Sequence, residues 1–234
     1  MRTLLFSIAF LFPAILHAQE GRPVACRFLS FGGTGQDTAA IAISDKGGEI
    51  RCPLSSSQLS GKIVCSAKNN SIGFISPADR KPLATATIPA GVNAALLVFV
   101  QAPKKADAPA DAPSWRVMVI EDSPKNFPDG GVFVANFYRN DIRFVIGEHK
   151  GMLHSAGSSG YAMPKERDDF NMSPVIFEFE QDGKWRIANE SSLRFLPGMR
   201  YLVFAYVDPA SGRPRINTYQ DIAPAAAQAA PAAN

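Results

Sequence analysis

Short apolar stretches, each bounded by Gly, Pro, Asn, Asp or Ser, recur along this 234-residue chain, and long runs of helical spacing are scarce. That punctuation marks an all-β sandwich or barrel. In the first half it predicts strands over residues 24–31, 39–44, 62–66, 71–75, 85–88, 94–101 and 115–121. In the second half it predicts them over 132–138, 142–146, 175–180, 184–188, 200–207 and 215–219. Residues 55–59 and 166–170 each read as one helical turn.

The two halves end alike. Ile88-Pro89-Ala90-Gly91 precedes the apolar strand Ala95-Leu96-Leu97-Val98-Phe99, and a loop leads to Trp115-Arg116-Val117 and Glu121-Asp122. Later, Leu196-Pro197-Gly198 precedes Tyr201-Leu202-Val203-Phe204, and a loop leads to Pro214-Arg215-Ile216 and Gln220-Asp221. A repeat of roughly 100 residues fits two tandem immunoglobulin-like β-sandwich domains. The expected division is 19–122 and 132–222, joined by a Pro- and Gly-rich linker at 123–131. One larger β-sandwich is the alternative.

One hairpin invites a register. Val175, Phe177 and Phe179 alternate with Ile176, Glu178 and Glu180, and Gln181-Asp182-Gly183 leads into Lys184-Trp185-Arg186-Ile187. A three-residue loop sets Phe179 opposite Trp185 and Glu178 opposite Arg186, which leaves one face wholly apolar. Gly183 is then the structural turn residue, with the positive φ that glycine alone adopts freely.

The first 18 residues carry one positive charge at Arg2, an apolar run from Leu4 to Leu16, and Ala18 at the expected cut. That is a secretory signal peptide. The run is shorter than the roughly 20 residues of a membrane span, and no later apolar segment is long enough to be one. The expected location is periplasmic, cell-surface or secreted. Residues 223–234 are almost all Ala and Pro, a composition that stays disordered because it has little surface to bury. The stretch 104–113 reads as a solvated loop.

Three cysteines remain in the expected mature chain, so at most one intramolecular disulfide forms. Cys52 and Cys65 would close a short loop worth about 3 kcal/mol. Three buried thiols, Cys26 among them, are the equal alternative. Charge is nearly balanced at +3, with basic residues scattered. A nucleic-acid surface needs a clustered basic face, and none is visible.

Candidate chemistry is thin. His149 and His154 are five apart, with Glu148 beside the first and Glu166, Asp168 and Asp169 downstream. The spacing matches no zinc pattern. Gly157-Ser158-Ser159-Gly160 lacks both the spacing and the strand-to-helix elbow of a hydrolase serine. Phe31-Gly32-Gly33-Thr34-Gly35 lacks the Lys-Ser/Thr ending of a phosphate loop and reads as a turn. Trp115 and Trp185 are expected in the core. Tyr201, Tyr206 and Tyr219 are the candidates for a sugar-stacking face. No cofactor is expected.

The second half resembles a group of exported bacterial β-sandwich proteins. The likeness lies in the strand Val134-Ala135-Asn136 and in a closing hairpin formed by Leu196-Pro197-Gly198, Tyr201-Leu202-Val203-Phe204, Asp208-Pro209 and Arg215. It implies export and a sandwich fold, and carries no catalytic residue. The expected function is a non-catalytic binding or assembly module of the cell envelope, contacting a protein or a polysaccharide. The alternative is an envelope-acting enzyme or metal-dependent protein, with a loop site between His149 and Asp169.

Overall fold

The computed structural model describes residues 21–32, 39–44, 47–101 and 115–222. The expected signal peptide, residues 33–35 of the glycine-rich turn, the 104–113 loop and the terminal tail lie outside them. Among the described residues there is no helix. Ser55 and Asp168 instead use their side-chain oxygens to bind backbone N–H groups two to four residues on. Such local bonds compete with a helical turn, so neither expected helical turn forms.

The first half contains β1 (Arg22–Phe31), β2 (Ala39–Ile43), β3 (Glu49–Pro53), β4 (Ile63–Ala67), β5 (Ser71–Ile75), β6 (Pro82–Thr87), β7 (Ala94–Gln101) and β8 (Trp115–Glu121). The second contains β9 (Val132–Asn136), β10 (Ile142–Ile146), β11 (His149–Leu153), β12 (Ser158–Tyr161), β13 (Met172–Gln181), β14 (Lys184–Arg194), β15 (Met199–Val207) and β16 (Pro214–Ile222). The strands form four four-stranded sheets, in the orders β4-β1-β7-β8, β3-β2-β5-β6, β12-β9-β15-β16 and β11-β10-β13-β14. Numbered from its own first strand, each half has the same pair of orders. The same parallel pairing also recurs, β1 with β7 and β9 with β15.

Three cores order these sheets into four layers. One lies between the two sheets of the first half, around Phe28, Phe74, Phe99 and Trp115. A second lies between the two sheets of the second half, around Phe144, Phe177, Phe179 and Tyr201. The third lies between the halves, where Leu29, Phe31, Leu96 and Val98 meet Phe133, Leu202 and Phe204. The sheets holding β7 and β15 are therefore covered on both faces. Residues 95–99 and 201–205 are accordingly buried without a break. A strand covered on both faces reads as a continuous apolar run, which is how both segments read in the sequence.

The halves meet through corresponding surfaces. Leu96 lies beside Arg27 and Ile120, and Leu202 lies beside Phe133 and Tyr219. These registers make Phe31 correspond to Phe137 and Asp122 to Asp221. Phe31 and Phe137 stack on each other, with ring centroids 5.3 Å apart. An equivalent residue touching its own counterpart is the hallmark of an isologous contact. The joining segment, residues 123–131, does not hang free. Phe127 is buried in the third core, and Asp129 accepts the Gly198 N–H.

The β13–β14 hairpin departs from its expected register. Gln181 pairs with Lys184, Glu180 with Trp185, Phe179 with Arg186 and Glu178 with Ile187, followed by a bulge at Phe177/Glu178. The turn is two residues long, with φ of 52° at Asp182 and 72° at Gly183. That is the mirror-image turn whose twist suits a hairpin. The expected register considered two strands only. In the sheet, β10 supplies Arg143 as the partner of Glu178, and the bulge restores alternation beyond it. Gly183 does take positive φ.

Candidate functional site

The structure does not assemble the His149–Asp169 candidates into one site. His149 opens β11 and His154 follows its end, so the strand's length separates them. Both were expected in a loop. His149 Nε2 lies 2.9 Å from the Ala162 carbonyl oxygen, and His154 Nδ1 lies 3.0 Å from Asp141 Oδ2. The Glu148 carboxylate accepts the N–H groups of Lys165, at 2.8 Å, and Glu166, at 3.3 Å. The bond from Lys165 holds the Glu148 carboxyl below its usual range. Asp168 Oδ1 accepts from Phe170 and Met172. Of these groups, Glu148 and His149 fasten the segment between β12 and β13 onto the β10–β11 turn. Among the described residues, no three His, Cys, Asp or Glu side chains are grouped to hold a metal ion.

Ser158, Ser159 and Gly160 form edge strand β12 against β9. A Cβ at Gly160 would collide with the Asn126 carbonyl, so glycine is what lets the joining segment cross this strand. The motif Val134-Ala135-Asn136 also has a structural meaning. The buried Asn136 amide donates toward the carbonyls of Asn140, Leu153 and His154, and its oxygen accepts the Tyr138 N–H.

All three cysteines lie buried in the first core as free thiols. Cys65 is the middle one, interacting electrostatically with both Cys26 and Cys52. The neighbouring Cys26 thiol, reinforced by burial, pushes the Cys65 thiol up to about 12. The neighbouring Cys65 thiol, followed by burial, raises Cys52 further.

The aromatic residues redistribute. Tyr201 and Tyr219 are buried, and Tyr206 packs against the third core, so no sugar-stacking face forms from them. Trp115 joins the first core as expected. Trp185 does not join a core. It pairs with Glu180 on the outward face of the β11-β10-β13-β14 sheet, with the Arg143 guanidinium 4.7 Å from its ring centroid.

That face is built in rows. Cross-strand partners share a face, and Met152, Arg143, Glu178 and Ile187 form one row across all four strands. Arg143 and Glu178 make an ion pair at its centre, while Met152 and Ile187 at its ends are 52% and 60% exposed. The next outward row is Lys150, Val145, Ile176 and Glu190. It reverses the order, apolar at the centre and charged at the ends. The alternation of Ile142, Arg143 and Phe144 already marks Arg143 as outward. The row itself depends on which strands are neighbours, a property that no single segment carries.

At the seam between the halves, two arginines and two aspartates interlock. Arg27 pairs with Asp221 at 2.7 Å, and Arg200 pairs with Asp221 at 2.5 Å and with Asp122 at 2.7 Å. Arg200 also lies over the Phe127 ring, 4.1 Å from its centroid. A cavity of about 270 Å³ opens beside this group, lined also by Lys62 and Asp129. A larger one, about 520 Å³, lies where Glu121, Lys125 and Asn126 approach Ser158 and Ser159. Comparison of the chain with protein-family models and with curated proteins finds no match.

Proposed function

We propose that the protein is an exported, non-catalytic binding or assembly module of the cell envelope, and that its partner is a protein held on the outward face of the β11-β10-β13-β14 sheet. The observation that carries this reading is the row Met152–Arg143–Glu178–Ile187 with Trp185 beside it. Trp, Arg and Met are enriched at protein interfaces, and Trp and Arg are frequent hot spots. The partner would offer apolar groups to Met152, Ile187 and Trp185, and polar groups to the Arg143–Glu178 pair. A sugar ring would need an open indole face, and Arg143 already covers one side of Trp185. The protein partner is favoured on that ground. Export rests on the signal-like residues 1–18.

The test uses residues 19–234 immobilised and exposed to envelope extract. Three variants are compared with the parent: Trp185→Ala, Ile187→Asp, and Val64→Asp on the exposed edge strand β4 as a control. The expected result is a captured protein that both outer-face variants lose and the control keeps, with unchanged melting temperatures. Equal capture by all four chains would sink the reading, as would polysaccharide in place of protein. Recovery of the full chain from the cytosol with residues 1–18 attached would sink the export half of it.

A further inference from the structure

The geometry points to a three-thiol exchange site in the first core, in which Cys65 is the obligatory partner of a single disulfide that closes onto either Cys52 or Cys26. This inference stands apart from the proposed function and would survive its failure.

Cys65 lies on β4 and Cys26 on the neighbouring strand β1, where the pairs Val24–Cys65 and Cys26–Ile63 make the two cysteines diagonal neighbours on the core face. Cys52 comes from β3, in the opposing sheet. Cys65 thus has one thiol neighbour within its own sheet and one in the opposing sheet across the same core. The outer two thiols turn to local carbonyls, Cys26 to Val24 at 3.5 Å and Cys52 to Ile50 at 3.4 Å.

Oxidation by a low-molecular-weight disulfide such as oxidised glutathione balances simply. Two protein thiols lose two electrons and two protons and form one S–S bond, and the glutathione disulfide is reduced to two thiols. The third cysteine, as thiolate, then attacks the Cys65 sulfur. A new bond to Cys65 forms, the old one breaks, and the displaced sulfur leaves as thiolate and takes up the proton that the attacking thiol gave up. The two isomers differ mechanically. Cys52–Cys65 fastens the two sheets together, whereas Cys26–Cys65 fastens two strands of one sheet. All three thiols are buried, so oxidation takes place during folding and exchange is slow, since the attacking species must be a thiolate.

The experiment is refolding of reduced residues 19–234 with oxidised glutathione, followed by alkylation in denaturant and peptide mapping. Single Cys→Ala variants are treated in parallel, and their reduced forms are checked for folding by circular dichroism. The parent should carry one internal disulfide that always includes Cys65, and one alkylated thiol. Cys26→Ala should give only Cys52–Cys65, Cys52→Ala only Cys26–Cys65, and Cys65→Ala no internal disulfide. A Cys26–Cys52 bond in the parent or in Cys65→Ala would overturn the inference. So would a parent that folds with three thiols under the same oxidant, or a Cys52→Ala chain that folds without forming a disulfide. If reduced Cys65→Ala fails to fold, the other two variants and the parent decide the matter.

Discussion

Asp221 sits between two guanidiniums that belong to different layers, Arg27 on β1 and Arg200 on β15, with its side chain only 1% exposed. Burial on its own would raise this carboxyl. The two arginines outweigh it and hold the group below its ordinary value. A depressed folded value stabilises the native state at pH above the unfolded value, near 3.9 for aspartate. The contribution is lost as pH falls through the lower folded value. Asp221→Asn removes the charge and leaves both arginines short of a partner. We expect it to cost about 3–5 kcal/mol at neutral pH, the usual penalty for breaking a buried pair. Urea denaturation measures this without adding salt. The difference between parent and variant should shrink as the solution is acidified, and a difference independent of pH would refute the assignment. Arg200 tolerates its burial because Asp122 and Asp221 together raise its affinity for the proton above the ordinary arginine value.

Two glycines show that elements depend on this residue type for different reasons. At Gly183 an added Cβ meets nothing within 4 Å, so the cost of Gly183→Val is the left-handed backbone alone, about 1–2 kcal/mol. At Gly160 the φ is ordinary and the obstacle is the Asn126 carbonyl. Gly160→Ala should cost about 1–3 kcal/mol as overpacking and should speed amide exchange across β9 and β12. Thermal melts of both variants, and hydrogen exchange on the second, check these values. The same contrast explains which strands were legible in the sequence. Segments 71–75, 94–101, 115–121 and 142–146 coincide with the observed strands, because apolar alternation or a continuous apolar run marks each one. Edge strands β3, β11 and β12 escaped notice. Their side chains are largely polar or small, and Gly151 and Gly160 stand where Phe144 and Asn126 press close. The hairpin register failed for a related reason, since Arg143, the true partner of Glu178, belongs to a third strand. The candidate face was hidden for the same cause, because its row joins residues that lie 44 positions apart between Arg143 and Ile187. The chemical candidates around His149 were visible as residue types, but their bonds to backbone groups depend on a segment folded back from residues 162–168.

At the scale of the molecule, the third core couples the halves. Phe204 touches the rings of Phe31, Phe137 and Tyr219, with centroids 5.0–5.5 Å away. We expect the parent to unfold in one calorimetric transition. Phe204→Ala should cost about 3–5 kcal/mol and separate that transition into two, one for each half. Two transitions in the parent would show the seam to be weaker than its packing suggests. The letters of the repeat conceal this symmetry slightly. Leu97-Val98-Phe99 spells the same run as Leu202-Val203-Phe204, yet the position equivalent to Leu202 is Leu96, one residue earlier. With side chains alternating at period two, matching the letters would turn the wrong face to the seam. The meeting of corresponding surfaces does within one chain what a symmetric homodimer does between two. A single chain need not keep both sides of such a contact identical, and Arg200 stands in one half where Ala94 stands in the other.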